Sequence, residues 1–185
     1  MNVIPDTPVW SLLLRRRPDA LSREELALRG ELAELIREGR VVLLGPIRQE
    51  VLSGISDGRM FTRLRDHLVA FGDEQLGVAD YEEAARCHNA CRTAGVAGSA
   101  TDFLICATAL RRNLAIFTTD RDFHHYAEIL MITLHRPREP DAGRIAEGHA
   151  GYSRSLQQNL TALAATRSLG TKGRRTWRRE EIHDR

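Results

Sequence analysis

Acidic side chains recur in this 185-residue sequence where short apolar runs end or a helical pattern begins. Four of them are placed so that they could carry out chemistry together: Asp6, Glu50, Asp102 and Asp120. Ligands of open parallel sheets bind outside the carboxyl ends of the strands, so carboxylates placed there converge. Converging carboxylates raise one another's pKa unless a cation neutralises them. A ligand set of oxygens alone favours Mg²⁺ or Mn²⁺ over Zn²⁺, and such an ion suits phosphodiester hydrolysis by an activated water.

Each acid also has a purely structural interpretation. Asp102 could form a capping box with Ser99, three residues earlier. Glu50 could favour the start of a helix electrostatically, and Asp120 could form a turn after a strand. Asp6 is the hardest to explain in this way, because apolar residues resume shortly after it. The conjunction of the four acids, rather than any one of them, predicts a site.

The elements that must position these acids form a regular alternation. Short apolar runs occur at residues 3–4, 41–44, 76–78, 114–118 and 130–134, and longer helical patterns separate them. The first long helix should end at Gly39, and later helices are expected at about residues 81–93 and from a Ser99 cap to residue 112. Crossovers of this length permit parallel strands. We therefore predict an α/β fold, a three-layer α/β/α sandwich around a parallel sheet of about five strands.

The charge of the chain is unevenly distributed, although 27 Lys and Arg against 25 Asp and Glu give a net charge of only +2. Acidic residues predominate up to residue 135 and basic residues after it. We predict one folded domain over residues 1–136 and a basic extension over residues 137–185, partly disordered or with one weak helix. The three cysteines are an odd count, and no apolar stretch could span a membrane. A cytoplasmic protein is expected.

Four segments of the sequence together resemble the PIN domain, specifically the VapC-type toxins of bacterial toxin–antitoxin pairs. They are VIPDTPVW at residues 3–10, VVLLGPIRQEVLSGI at 41–55, ATDFLICATA at 100–109 and FTTDRDF at 117–123. The resemblance covers roughly residues 1–136, and the order and spacing of the segments make it specific. It implies a PIN-like nuclease domain.

The resemblance implies a metal-dependent endoribonuclease that acts as the toxin of a toxin–antitoxin pair and hydrolyses RNA phosphodiesters by metal-activated water. By similarity, the catalytic and metal-binding residues are Asp6, Glu50, Asp102 and Asp120. The supporting residues are Thr7, Thr119 and Asp122. The implied cofactor is Mg²⁺ or Mn²⁺. The implied partners are an RNA substrate, an antitoxin whose carboxyl-terminal segment covers the acidic site, and a second copy in a homodimer, with no membrane.

Pro8 departs from the family pattern, which commonly has Ser or Asn at this position. The alternative function is therefore a catalytically impaired PIN fold that binds RNA or protein without cleaving it. An aspartate-nucleophile phosphatase of the haloacid dehalogenase type is disfavoured, because Pro8 stands where that chemistry needs a second aspartate. A dinucleotide-binding module is disfavoured because no G-x-G-x-x-G follows the first strand. For an acidic core, the phosphate ligands would be either the basic extension or local arginines, of which the sequence offers Arg15, Arg16, Arg17, Arg48 and Arg121.

Overall fold

The computed structural model describes residues 1–138, in which five strands alternate with seven α-helices. The strands are β1 (Val3–Pro5), β2 (Leu43–Leu44), β3 (Asp73–Glu74), β4 (Ala115–Phe117) and β5 (Thr133–Leu134). The helices are α1 (Thr7–Leu14), α2 (Arg23–Arg37), α3 (Gly45–Leu52), α4 (Gly58–Leu68), α5 (Val78–Thr93), α6 (Ala100–Arg112) and α7 (Asp122–Leu130), and a 3₁₀ turn covers Pro18–Ala20. The predicted basic extension lies outside the described residues from residue 139 onward, and the domain boundary after residue 136 stays a prediction.

The strands form one parallel arrangement. β4 lies between β1 and β5, and β2 pairs with β3. A parallel bridge between Val3 and Val41 joins the two parts, and the amide of Val42 donates to the carbonyl of Val3 at 2.8 Å. The strand order is therefore β3-β2-β1-β4-β5. Helices α1, α2 and α3 pack together, as do α5, α6 and α7. The predicted α/β/α sandwich with a parallel sheet is confirmed.

The third strand lies earlier in the chain than the sequence pattern predicts. The apolar run at residues 76–78 is not a strand: β3 is Asp73–Glu74, and α5 already begins at Val78. β3 is an edge strand of two acidic residues, and charged edges protect a sheet from pairing with other chains. Asp73 pairs with Arg48 at 2.7 Å. Such a strand carries no apolar pattern by which the sequence could reveal it.

The ends of the helices agree well with the sequence. Gly39 follows α2 with a positive φ of 67°, which glycine adopts without steric cost, and so confirms the predicted stop. Ser99 caps α6, also as predicted. The side chains from Phe103 to Ala109 are all buried, so α6 is fixed by packing along most of its length. No helix within residues 1–138 is long and apolar enough to cross a bilayer.

Candidate active site

Asp6 lies at the carboxyl end of β1 and is the N-cap of α1. Its Oδ1 accepts from the amide of Thr7 at 2.7 Å, and its Oδ2 accepts from the hydroxyl of Thr118 at 2.8 Å. Only 6% of its surface is exposed. Burial raises the pKa of Asp6 to about 6; the hydrogen bonds from Thr118 and Thr7 oppose this, and the charges of Asp102 and Glu50 add to it. Asp6 is therefore a buried carboxylate whose charge is only partly stabilised.

Two threonines connect Asp6 to two other predicted acids. The hydroxyl of Thr7 donates to Oε2 of Glu50 at 2.6 Å. The hydroxyl of Thr118 accepts from the amide of Asp120 at 2.9 Å while it donates to Asp6. Thr7 thus links α1 to α3, and Thr118 links β1 to the loop after β4. Three of the four predicted acids are held in one hydrogen-bonded network.

Thr118 is a residue that the sequence analysis missed. The sequence-based prediction was a supporting role for Thr119, which is exposed. The strand register explains why Thr118 rather than Thr119 contacts Asp6. Pro5 pairs with Phe117, so the residues that directly follow the two strands, Asp6 and Thr118, lie side by side. The predicted supporting role of Thr119 stays a prediction.

Asp102 joins the cluster from the start of α6. Its Oδ2 accepts from the amide of Ser99 at 2.8 Å, and the hydroxyl of Ser99 accepts from the amide of Asp102 at 3.1 Å. The capping box that the sequence offered as the simpler interpretation is therefore present. The charge of Asp102 nevertheless contributes to the raised pKa of Asp6, so the two carboxylates interact electrostatically. The cap fixes Asp102 to a rigid helix without removing it from the acidic cluster.

Asp122 is the first residue of α7 and is exposed. Its amide donates to Oδ1 of Asp120 at 3.0 Å, which is the local turn that the sequence allowed. A carboxylate at this position also interacts favourably with the amino end of the helix. The contact holds Asp120, and the supporting role of Asp122 in catalysis stays a prediction.

Tyr126 of α7 lies beneath the acidic cluster and was also missed. Its hydroxyl donates to the carbonyl of Ala97 at 3.1 Å and lies 3.5 Å from Oδ2 of Asp102. Its ring packs against Phe103 and Phe123, each with a centroid distance of 5.3 Å. Burial and then the charges of nearby acids raise the pKa of Tyr126 above its usual value, the largest contribution among the acids coming from Asp102. The helical spacing of Phe123 and Tyr126 was the available sequence signal for this buried face.

Gly98 leaves no room for a side chain beside Tyr126, since a Cβ there would stand 2.3 Å from the tyrosine Oη and 2.9 Å from Cζ of Phe103. We expect Gly98→Ala to displace Tyr126 and to destabilise the protein by about 1–3 kcal/mol, the usual cost of overpacking. Urea denaturation would measure the change. Gly58→Ala is the matched control, because nothing lies within 4 Å of its Cβ position. Equal stability of the two variants would contradict the prediction.

Pro8 is the second residue of α1 and is exposed. Proline is tolerated in the first turn of a helix, where the amides lack intrahelical acceptors. It does remove an amide to which an N-cap carboxylate commonly bonds. Asp6 instead accepts from the amide of Thr7. The family departure at Pro8 therefore leaves Asp6 in its capping position.

The acidic cluster has donor atoms suited to a metal ion but does not bring three of its acids together. Within residues 1–138, no three Asp, Glu, His or Cys side chains converge closely enough to hold one ion. The carboxylates of Asp6, Glu50 and Asp102 are instead engaged in hydrogen bonds with Thr118, Thr7 and Ser99. The donor atoms are nevertheless hard oxygens, and a cation would relieve the unfavourable charge of Asp6. The residues fit Mg²⁺ or Mn²⁺ in chemical type and charge.

A parallel sandwich with acids clustered at the carboxyl edge of its sheet defines a class of α/β protein suited to phosphodiester chemistry. The PIN domain model matches residues 3–129. The chain therefore belongs to the PIN domain family, whose members are generally nucleases that use divalent metals.

A solved structure supports the same fold. The chain is similar to the crystal structure of FitAcB from Neisseria gonorrhoeae, with a TM-score of 0.58 and 21% sequence identity over 73% of this chain and 97% of that chain. No curated protein matches the sequence. At this level of identity, the similarity concerns the fold.

Proposed function

We propose that this protein is a metal-dependent endoribonuclease and the toxin of a toxin–antitoxin pair. The observation that carries the proposal is Asp6, a buried carboxylate at the carboxyl edge of the sheet whose charge is opposed by burial and by Asp102 and Glu50. Such an arrangement favours a bound cation. Membership of the PIN domain family supports nuclease chemistry. The four segments that resemble VapC-type toxins support RNA as the substrate and an antitoxin and a second copy as partners.

In this mechanism the chain orients ligands and supplies no covalent nucleophile. A bound Mg²⁺ or Mn²⁺ would stabilise developing charge on the phosphate and lower the pKa of a water. Asp6 and Asp102 would hold the ion, and Glu50 and Asp120 would complete the negative cluster. The amide of Thr7 and the hydroxyl of Thr118 fix the two oxygens of Asp6. They keep this side chain in one orientation when substrate enters.

The second candidate is a PIN fold that binds RNA or protein without cleaving it. It is favoured by the spacing of the acids, of which no three within residues 1–138 are close enough to hold one ion. Under this alternative, the hydrogen bonds of Asp6, Glu50 and Asp102 would be purely structural. Metal binding separates the two functions.

The test uses full-length protein freed of antitoxin, incubated with RNA and with single-stranded DNA of the same sequence. We expect RNA cleavage with Mg²⁺ or Mn²⁺ and none in EDTA. Mn²⁺ should also raise the melting temperature, because an ion that binds only the folded state stabilises it. Asp102→Asn should lose both effects, since it removes one of the two acids expected to hold the ion.

Asp19→Asn is the control for this test, because Asp19 is an exposed acid that pairs with Arg17 at 3.0 Å. It should behave like the wild type. RNA that is bound but not cut, with no response of the melting temperature to Mn²⁺, would favour the binding module. Cleavage that persists in EDTA would contradict a metal-dependent nuclease.

A further inference from the structure

Several arginines that the sequence offered as phosphate ligands are already paired with acids. Arg16 pairs with Glu25 at 2.8 Å, and Arg17 pairs with Asp19 at 3.0 Å. Arg48 pairs with Asp73 at 2.7 Å. A guanidinium held in this way has fewer donors free for a phosphate. Arginines that are not held by acids are therefore better candidates for attracting RNA to an acidic domain.

Arg59 and Arg63 of α4 are such cations. Neither forms an ion pair with a carboxylate in the part of the chain that the structure describes. They are four residues apart, so both lie on the same face of the helix. One guanidinium nitrogen of Arg63 contacts the thioether of Met60 at 2.8 Å. Both guanidinium groups therefore remain available for an anion.

The two arginines line an open depression of about 500 Å³ together with Gly58, Thr62, Asp66 and His67. The depression lies opposite the buried side of α4, which carries Leu64 and Leu68. Asp66, its one acid, is paired with Arg65 at 2.7 Å. The surface thus combines two guanidinium groups and a threonine hydroxyl, which suits phosphate oxygens.

The helix that carries this surface packs against the helix that carries Glu50. α3 begins at the carboxyl end of β2, carries Glu50 and packs against α4. α4 is the helix that precedes β3, and its 11 residues span about 16 Å. Arg59 and Arg63 therefore belong to a helix that packs against the helix carrying Glu50.

We propose that Arg59 and Arg63 form a phosphate-binding surface that guides single-stranded RNA into the acidic cluster. The inference rests on the proposed ribonuclease function and identifies where the backbone of the substrate would bind. The acids that would hold the ion repel the RNA backbone, and cations elsewhere on the domain offset that repulsion. Such contacts contribute affinity and little sequence preference.

The experiment compares the full-length wild type with the Arg59→Ala/Arg63→Ala double variant. Binding of a fluorescent single-stranded RNA is measured by anisotropy between 50 and 200 mM salt, about the range over which phosphate contacts respond strongly. EDTA is present, so that the proposed nuclease leaves the RNA intact. Loss of two phosphate contacts should reduce the slope of log K against log salt by about 1.4 and weaken binding roughly tenfold or more at low salt.

The matched control is Arg23→Ala/Arg92→Ala, which removes the same charge from exposed positions on α2 and α5. It should keep nearly the wild-type affinity and slope. The Arg59→Lys/Arg63→Lys variant keeps the charge and should retain most of the slope, which separates a lost phosphate contact from a damaged helix.

The outcomes distinguish the two proposals. The alanine double variant could match the wild type in affinity and slope, or lose no more affinity than the control does. The proposed role of the α4 surface would then be wrong, while the ribonuclease proposal would stand. If the wild type neither binds nor cleaves RNA, the proposed function fails and this inference fails with it.

Discussion

Asp6→Asn is expected to reduce RNA cleavage by about 100-fold or more, while the protein stays folded. Loss of residues that merely orient metal ligands typically costs about 10–100-fold, so a direct ligand should lie at or above the upper end of this range. Asparagine keeps the size of the side chain and can still accept from Thr118, but it has no charge to offer a cation. Single-turnover cleavage rates at saturating Mn²⁺ would measure the effect, and calorimetric titration would measure Mn²⁺ binding.

The stability of the metal-free variant gives an independent readout. Burial raises the pKa of Asp6 to about 6, so the folded state binds the carboxylate proton more tightly than the unfolded state does. The contribution of Asp6 to the free energy of unfolding therefore falls as the pH rises from about 4 to about 6. At pH 7.5 the charged side chain destabilises the folded state. In EDTA at pH 7.5, Asp6→Asn should be at least as stable as the wild type. A variant that unfolds, or that cleaves within a few-fold of the wild-type rate, would contradict this role.

Asp122→Asn is the control for Asp6→Asn. Asp122 is exposed, and its backbone amide rather than its side chain contacts Asp120. Its substitution should change the cleavage rate only several-fold. An equal loss in both variants would indicate a general dependence on negative charge rather than a specific role of Asp6.

The positions of the acids were predictable because they follow from topology. Asp6, Glu50 and Asp120 each come after a strand of one parallel sheet, so the strand order is enough to bring them to one edge. Whether Thr118 or Thr119 contacts Asp6 depends on the pairing register of β1 and β4. Successive side chains of a strand point in opposite directions, so a shift of one residue would exchange the two threonines. A single sequence does not specify that register.

Other features depend on tertiary packing and were beyond the sequence pattern. β3 is too short and too polar to show as an apolar run. The contact between Tyr126 and Ala97 requires α7 to pack against the start of α6. By contrast, both interpretations of Asp102 were visible in the sequence, and the structure shows the cap together with an electrostatic effect on Asp6. A structural role and a proposed catalytic role are thus compatible in one residue.

Asp80→Asn is expected to destabilise the protein by about 3 kcal/mol and to lower the melting temperature by about 10 °C. Asp80 is 4% exposed and joins the start of α5 to the end of α6. It accepts from Arg112 at 2.6 Å, from Arg111 at 2.9 Å and from the amide of Gly77 at 2.8 Å. Removing its charge leaves two guanidinium groups without their main partner. The estimate takes the lower end of the range for broken buried pairs, because Arg112 is partly exposed.

The pH dependence tests the cause of this effect. The hydrogen bond from Arg112 lowers the pKa of Asp80 well below its usual value. A carboxyl group whose pKa is depressed in the folded state contributes stability above its unfolded pKa of about 3.9 and loses it as the pH falls further. The wild type should therefore lose stability below about pH 4 more steeply than Asp80→Asn. Asp66→Asn, which breaks an exposed pair with Arg65, should cost no more than about 1 kcal/mol. Equal denaturation midpoints for the two variants would show that the α5–α6 junction does not depend on the charge of Asp80.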